Sequence, residues 1–415
     1  MKTQVSQPQS NALGESRPAD DPGSSICQET VRLCVDQCGS GLRAIILTGS
    51  LARDEGTFVR QSQFWRVMGD AEFVLVFKDR ARVPNSERIA VLRLEVEHSL
   101  ASKGVLCEIG LSAVNPTFLT GSRPHIFSYE LKACGRVAWG EPKILALIPD
   151  FQPSDIPLED AWRLLQNRIV EMLEFPRDFE GKSGALPAEV HYRTVKLYLD
   201  MATSLLLFAG GYSPGYRERE KRLSALFTVN QGNSWPFPME DFVQQVAACT
   251  EWKLGGGAAF ACGSWDFWEG AIAHARQLWR WELVRLTSAE PAASDQKLFA
   301  AWMKKQPRYE RLRGWLYALR NQGYRRSWQR RSHWARHLWR ASPRYWIYAA
   351  ASELLFRLPE ILQSAGGPDT WEHPLREIRA YLPLQTAEVQ QPPKWKDIAS
   401  EIWSNYARLL IETRI

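Results

Sequence analysis

Asp70 and Glu72 stand two positions apart in Gly69-Asp70-Ala71-Glu72-Phe73-Val74-Leu75-Val76-Phe77, an acid pair at the head of an apolar run. Strand alternation would project both carboxylates from one face and send Ala71 and Phe73 to the other. Two carboxylates held that close repel, and they coexist by sharing a cation or a proton. Glu108 is a lone acid in a second apolar run, Val105-Leu106-Cys107-Glu108-Ile109-Gly110-Leu111. If that run lies beside the first, three acids meet around a pair of metal ions, an arrangement for in-line displacement at phosphorus. Read without that chemistry, Asp70 caps a strand and Glu108 is a paired core acid.

A phosphate partner is suggested by Leu47-Thr48-Gly49-Ser50-Leu51-Ala52-Arg53-Asp54-Glu55-Gly56. A strand that ends in Gly-Ser and turns straight into a helix presents backbone N–H groups and a hydroxyl to an anion. Gly49 lets the chain approach with no Cβ in the way. With a triphosphate at hand, hard carboxylate oxygens favour magnesium.

The elements that must hold these residues follow from the apolar patterning. Residues 27–38 have helical spacing, 43–47 form a buried strand, 72–77 a second strand, 87–102 a helix and 105–114 a third strand. A further helix near 127–134 and a short strand at 136–139 complete an α/β unit ending near Asp150. From Pro157 onward strand signals almost vanish, and 158–175 and 188–208 carry apolar residues at three- and four-residue intervals. The expected fold is α+β: a small mixed-sheet domain at 26–150 behind a disordered tail at 1–25, a helical domain at 151–290 adjoining the site, and a helical, Trp- and Arg-rich region at 291–415.

In the Gly-Ser turn, the acid-x-acid strand and the third acid on a later strand, the chain resembles the nucleotidyltransferase superfamily of the DNA polymerase β type. The likeness runs from about Leu47 to Gly140 and includes Gly135-Arg136-Val137-Ala138-Trp139-Gly140-Glu141, which looks like the family's closing strand. It implies that Gly49 and Ser50 hold the triphosphate, that Asp70 and Glu72 bind magnesium, and that Glu108 binds metal or accepts the proton of an attacking hydroxyl. The reaction implied is transfer of a nucleoside monophosphate from an NTP to a hydroxyl, with release of pyrophosphate. Relatives often supply a Lys or Tyr from a following helix to the triphosphate, which makes Lys196 and Tyr192, one turn apart, candidate contacts. Arg53 is a further nucleotide-binding candidate, and Arg168 a similar one. Tyr212, Tyr216, Arg217 and Arg219 follow a Gly-Gly turn and are candidates for an acceptor pocket. The chain departs from the family in carrying Glu at position 72 and Gly at position 69. It also has a gap of about twenty residues between Ser50 and Asp70, for which a loop around Phe58 to Met68 is expected.

Composition sets outer limits. With 45% hydrophobic and 24% charged residues the chain is neither disordered nor membrane-embedded, and no apolar run approaches the roughly 20 residues that cross a bilayer. The first 25 residues hold no apolar stretch of a secretory signal. The seven Cys lack metal-ligand spacing, which fits buried thiols in a reducing, cytoplasmic compartment. Eighteen Trp imply thick helix contacts or a flat binding surface. Between Lys304 and Arg344 thirteen Lys or Arg face one acid, Glu310, in a chain of net charge +6, so the basic character is local. The same stretch holds Trp315, Trp328, Trp334 and Trp339, a mix suited to nucleic acid or an anionic membrane surface, or to a solvated helix face with its Trp packed inward. The acceptor stays open among a small molecule, a protein side chain, a nucleotide and an RNA. Two other readings also stay open: a degenerate module that binds nucleotide without turnover, and a helical protein that docks on nucleic acid, a membrane or a partner.

Overall fold

The computed structural model describes residues 21–61, 63–174, 186–229, 235–255, 264–320, 337, 339–363, 369–382 and 394–413. The first helix, α1 (Pro22–Cys38), begins earlier than the sequence suggested, because Asp21 accepts a hydrogen bond from the Gly23 N–H and Pro22 occupies the first turn. Strand β1 (Leu42–Thr48) follows and runs directly into a single helical turn, α2 (Gly49–Ala52). Next come β2 (Thr57–Gln61), the long β3 (Phe64–Phe77), α3 (Ser86–Ser102), β4 (Val105–Val114), α4 (Pro116–Thr120), α5 (Ile126–Cys134) and β5 (Arg136–Gly140).

The expected loop around Phe58 to Met68 is a β-hairpin. β2 pairs antiparallel with the first half of β3, from Thr57↔Met68 to Gln61↔Phe64. The second half of β3 lies between β1, antiparallel to it with Thr48↔Glu72, and β4, parallel to it with Asp70↔Glu108. β5 closes the far edge against β1. The β3–β4 register breaks between Arg66 and Asp70, and at this break Gly69 has φ +109°, a conformation that a side chain would strain.

Both faces of the sheet are covered, which is why β1 reads as a continuous apolar run rather than an alternating one. Leu42, Ile45 and Leu47 pack with Ile26 and Cys34 of α1 and with Leu92, Val96 and Leu100 of α3. Ala44 and Ile46 pack on the opposite side with Leu119 and Leu131. The chain then becomes helical: α6 (Leu158–Glu171), α7 (Ala188–Phe208), α8 (Tyr216–Val229), α9 (Met239–Leu254), α10 (Trp265–Thr287), α11 (Asp295–Lys305), α12 (Arg308–Arg320), α13 (Pro343–Gln363), α14 (Asp369–Ala380) and α15 (Trp395–Thr413). The fold is α+β, a small mixed sheet followed by helices.

Much of the tryptophan is spent on helix packing. Trp162, Trp268, Trp279 and Trp315 are fully buried, and Trp162 contacts the rings of Phe299, Trp302, Tyr345 and Tyr348. Among the described residues no helix is long and apolar enough to cross a membrane. Of the basic Trp-rich stretch, residues 321–336 and 338 lie outside the described residues, as do residues 1–20 of the expected tail.

Candidate active site

Asp70 and Glu108 are register partners on neighbouring parallel strands. Paired residues of parallel strands share a face and sit roughly 4.8 Å apart along the hydrogen-bonding direction. Both are exposed, and both border a cleft of about 1650 Å³ between the sheet and the helices. Neither carboxylate has a hydrogen bond or an ion pair among the described residues. Glu108 is therefore not a paired core acid. The buried face of its strand is made by Val105, Ile109 and Leu111.

Glu72 is placed differently. Its Oε2 lies 2.6 Å from where a Cβ on Gly49 would stand, and its Cγ lies 3.4 Å from the same position on Gly110. Glu72 therefore rests on two glycines, with its carboxylate against the turn at the start of α2. Gly49 has φ +70°, so conformation and space both favour glycine there. The Ser50 hydroxyl makes no hydrogen bond among the described residues, and no side chain caps the α2 turn. Asp70 and Glu108 border the cleft while Glu72 is turned toward Gly49, so the expected three-carboxylate metal centre is not closed. Among the described residues no group of three or more His, Cys, Asp or Glu can hold a metal ion by itself.

The opposite wall comes from α6 and α7. Of the basic residues that border the cleft, Arg66 pairs with Glu189 at 2.5 Å and Arg168 with Asp200 at 2.6 Å. Arg193 pairs with Glu174 and donates to the Glu171 carbonyl at 2.6 Å. Lys196 has no ion pair among the described residues, and its ammonium lies 5.7 Å from the Tyr192 ring centroid. Tyr192 itself is turned to another task. Its buried hydroxyl donates to the Met68 carbonyl at 2.6 Å, and a Cβ on Gly69 would meet it at 2.9 Å. The helical region is thereby latched to the strand at Met68, two residues before the Asp70 register begins.

Arg53, expected to contact nucleotide, is engaged by two acids. Its guanidinium is 8% exposed and is held at 2.8 Å by both Glu55 and Glu130, which leaves it stabilising the loop behind the Gly-Ser turn. Arg168 is similarly committed to Asp200 and Glu171. The residues after the Gly-Gly turn do not line an open pocket. Tyr212 is buried on Glu130, the Tyr216 N–H donates to Glu55 at 2.7 Å, Arg219 donates to the Pro214 carbonyl at 2.6 Å, and Arg217 pairs with Glu251 at the surface.

One residue that sequence reasoning passed over stands beside this site. Lys253 of α9 is 2% exposed, and its ammonium lies 5.5 Å from the centroid of the same Tyr192 ring. Its backbone carbonyl accepts from the Thr57 hydroxyl at 2.9 Å. Burial, followed by the neighbouring Lys196 charge, pushes its pKa down to about 7. A lysine in an otherwise ordinary helix gives no sequence signal, since only long-range neighbours make it unusual.

No protein-family model matches the chain, and no curated protein matches it. One solved structure that it is similar to is the crystal structure of spectinomycin adenyltransferase AAD(9) from Enterococcus faecialis with ATP and spectinomycin. The likeness has a TM-score of 0.37 and 12% identity, and it covers 61% of this chain and 98% of that chain.

Proposed function

We infer that the chain is a magnesium-dependent nucleotidyltransferase that moves a nucleoside monophosphate from an NTP to a hydroxyl acceptor. The observation that carries this reading is the side-by-side placement of Asp70 and Glu108, two carboxylates bordering a large cleft with no ion pair among the described residues. Such a pair favours a bound cation, and magnesium is commonly held by one or two carboxylates together with substrate phosphate oxygens and water. The donor set fits: Asp70 and Glu108 would hold the ion, with Glu72 close behind at the Gly49 turn. When bound, magnesium would neutralise charge on the phosphates and raise the acidity of the acceptor hydroxyl.

The chain's own residues do the rest. Gly49 admits the triphosphate close to the backbone, and Ser50 offers a free hydroxyl to it. Lys196 faces the cleft as a cation for the charge that develops on the leaving pyrophosphate. Glu108 takes the proton of the acceptor hydroxyl as its oxygen bonds to the α-phosphorus and the bond to the bridging oxygen breaks.

The test is incubation of the full chain with each α-labelled NTP, magnesium and a fractionated cell extract, with release of pyrophosphate read in parallel. Asp70→Asn and Glu108→Gln should each lower turnover by at least about a hundredfold with unchanged thermal stability. Wild-type turnover in both variants would remove the reading. A second reading, nucleotide binding without turnover, is favoured by the position of Glu72 on Gly49, which leaves the three-acid centre open. It is distinguished by NTP binding in calorimetry with no pyrophosphate from the wild-type chain.

A further inference from the structure

A second concavity, of about 790 Å³, lies among α10, α11, α12 and α13, and it shares no lining residue with the cleft of the candidate active site. Its size falls within the range that takes small organic ligands. The described part of the basic Trp-rich stretch ends up here, because Lys304, Arg311, Trp339 and Arg340 all border it.

Its walls are aromatic and already fixed. Trp279 lies parallel to Phe299 at 6.1 Å between ring centroids and meets Phe356 edge-on at 5.6 Å, and Trp346 stacks on Tyr381 at 5.8 Å. These rings hold one another in place and are mostly buried, so the narrow apolar surface they leave at the concavity needs no reordering when a ligand arrives. The charge is one-sided, with six Lys or Arg and two acids, Asp295 and Glu353, around the space. Arg276 and Arg280 share the single carboxylate of Asp295. Arg311 is anchored on backbone carbonyls, donating to Gln306 at 2.7 Å and to Trp339 at 3.0 Å, which fixes the turn that carries Arg340. Lys304 and Arg340 are exposed at the mouth and have no ion pair among the described residues. Trp339, 77% exposed, stands beside them.

We propose that this concavity is a second ligand site, taking a small organic anion with a flat aromatic body, such as an aryl carboxylate or aryl phosphate. The aromatic walls receive the ring, and Lys304 and Arg340 meet the charge. A walled space of this size suits a single small molecule, whereas a nucleic-acid strand needs a continuous open track of stacking faces.

The experiment is titration calorimetry of the full chain with 1-naphthoate, with the neutral 1-naphthalenemethanol, and with a short oligothymidylate. The site predicts one naphthoate per chain and at least tenfold weaker binding of the alcohol. Lys304→Ala combined with Arg340→Ala removes two exposed, unpaired side chains and should weaken naphthoate at least tenfold. Ala300→Trp, at an exposed lining position, should block binding while thermal stability is retained. Absence of naphthoate binding, affinity unchanged by the double variant, or displacement of naphthoate by magnesium and ATP would each overturn the proposal. So would tighter, competing binding of the oligothymidylate, which would make the surface a nucleic-acid site instead.

Discussion

At the scale of single residues, Asp70 and Glu108 border the cleft as register partners on β3 and β4, and Glu72 is set back against Gly49. Asp70, Glu72 and Glu108 announce themselves because a carboxylate in an apolar strand is costly, and strand periodicity states which face it takes. Arg53 and Tyr192 looked equally suited to a nucleotide, yet Arg53 is engaged by Glu55, two positions on, and by Glu130, 77 positions on, and Tyr192 by the Met68 carbonyl, 124 positions back. Lys253 illustrates the reverse case and leads to a pH prediction. Its folded pKa of about 7 lies below the ordinary lysine value of 10.5. Between those two values the unfolded chain binds more protons than the folded one, so this group makes stability rise with pH through the window. Below about pH 7 both states are protonated and the full burial cost is present. A triphosphate nearby would draw the proton back. Calorimetry of ATP binding at pH 8 in buffers of different ionisation enthalpy should therefore show proton uptake approaching one per site. Lys253→Met should remove that uptake, raise the stability of the ligand-free protein at pH 6 and weaken ATP binding. Equal uptake in wild type and Lys253→Met would place the titrating group elsewhere.

At the scale of elements, strands with both faces covered were readable, and the half-exposed hairpin was not. In β2 and the first half of β3 most positions are partly or fully exposed, without regular alternation, so they lack the apolar period that marks a strand. The break between the two halves of β3 is the point where the helical region takes hold, through Tyr192 over Gly69. Gly69→Ala should destabilise the protein by about 1–3 kcal/mol, combining the strain of a left-handed φ with a Cβ 2.9 Å from the Tyr192 hydroxyl. Tyr192→Phe deletes that hydroxyl and with it the hydrogen bond to the Met68 carbonyl, at a cost on the order of 1–2 kcal/mol. The two changes meet at one oxygen, so the double variant should lose less than the sum of the single ones. Denaturant unfolding of the four proteins measures the coupling. Strict additivity within about 0.3 kcal/mol would show that the hydroxyl does not pack on Gly69 in solution.

At the scale of the whole molecule, the candidate site belongs to neither part alone. The sheet supplies Asp70, Glu72, Glu108 and the Gly-Ser turn, and the helices supply Lys196 and Lys253. What joins the parts is a set of buried or half-buried polar contacts rather than a linker. Tyr192 bonds to Met68, Thr57 to the Lys253 carbonyl, the Tyr216 N–H to Glu55 and the Ile126 N–H to Asp160 at 2.8 Å. Ile156, Ala161, Leu207 and Tyr212 form a small apolar cluster against Ile126 and Tyr129 of α5. None of this is visible in sequence order, which shows only a change from mixed patterning to helical patterning near Pro157. Breaking the junction would expose unpaired polar groups on both sides, so the two parts should open together. Native-state hydrogen exchange followed by mass spectrometry should then give β3 and α7 the same limiting opening free energy. A ligand that binds only the assembled site adds roughly 2.7 kcal/mol at a hundredfold excess over its Kd. ATP with magnesium at that excess should therefore slow exchange in β3 and α7 by an equal factor of about a hundred. Protection confined to the sheet would mean that nucleotide is held without the helices, and the roles assigned to Lys196 and Lys253 would fall with it.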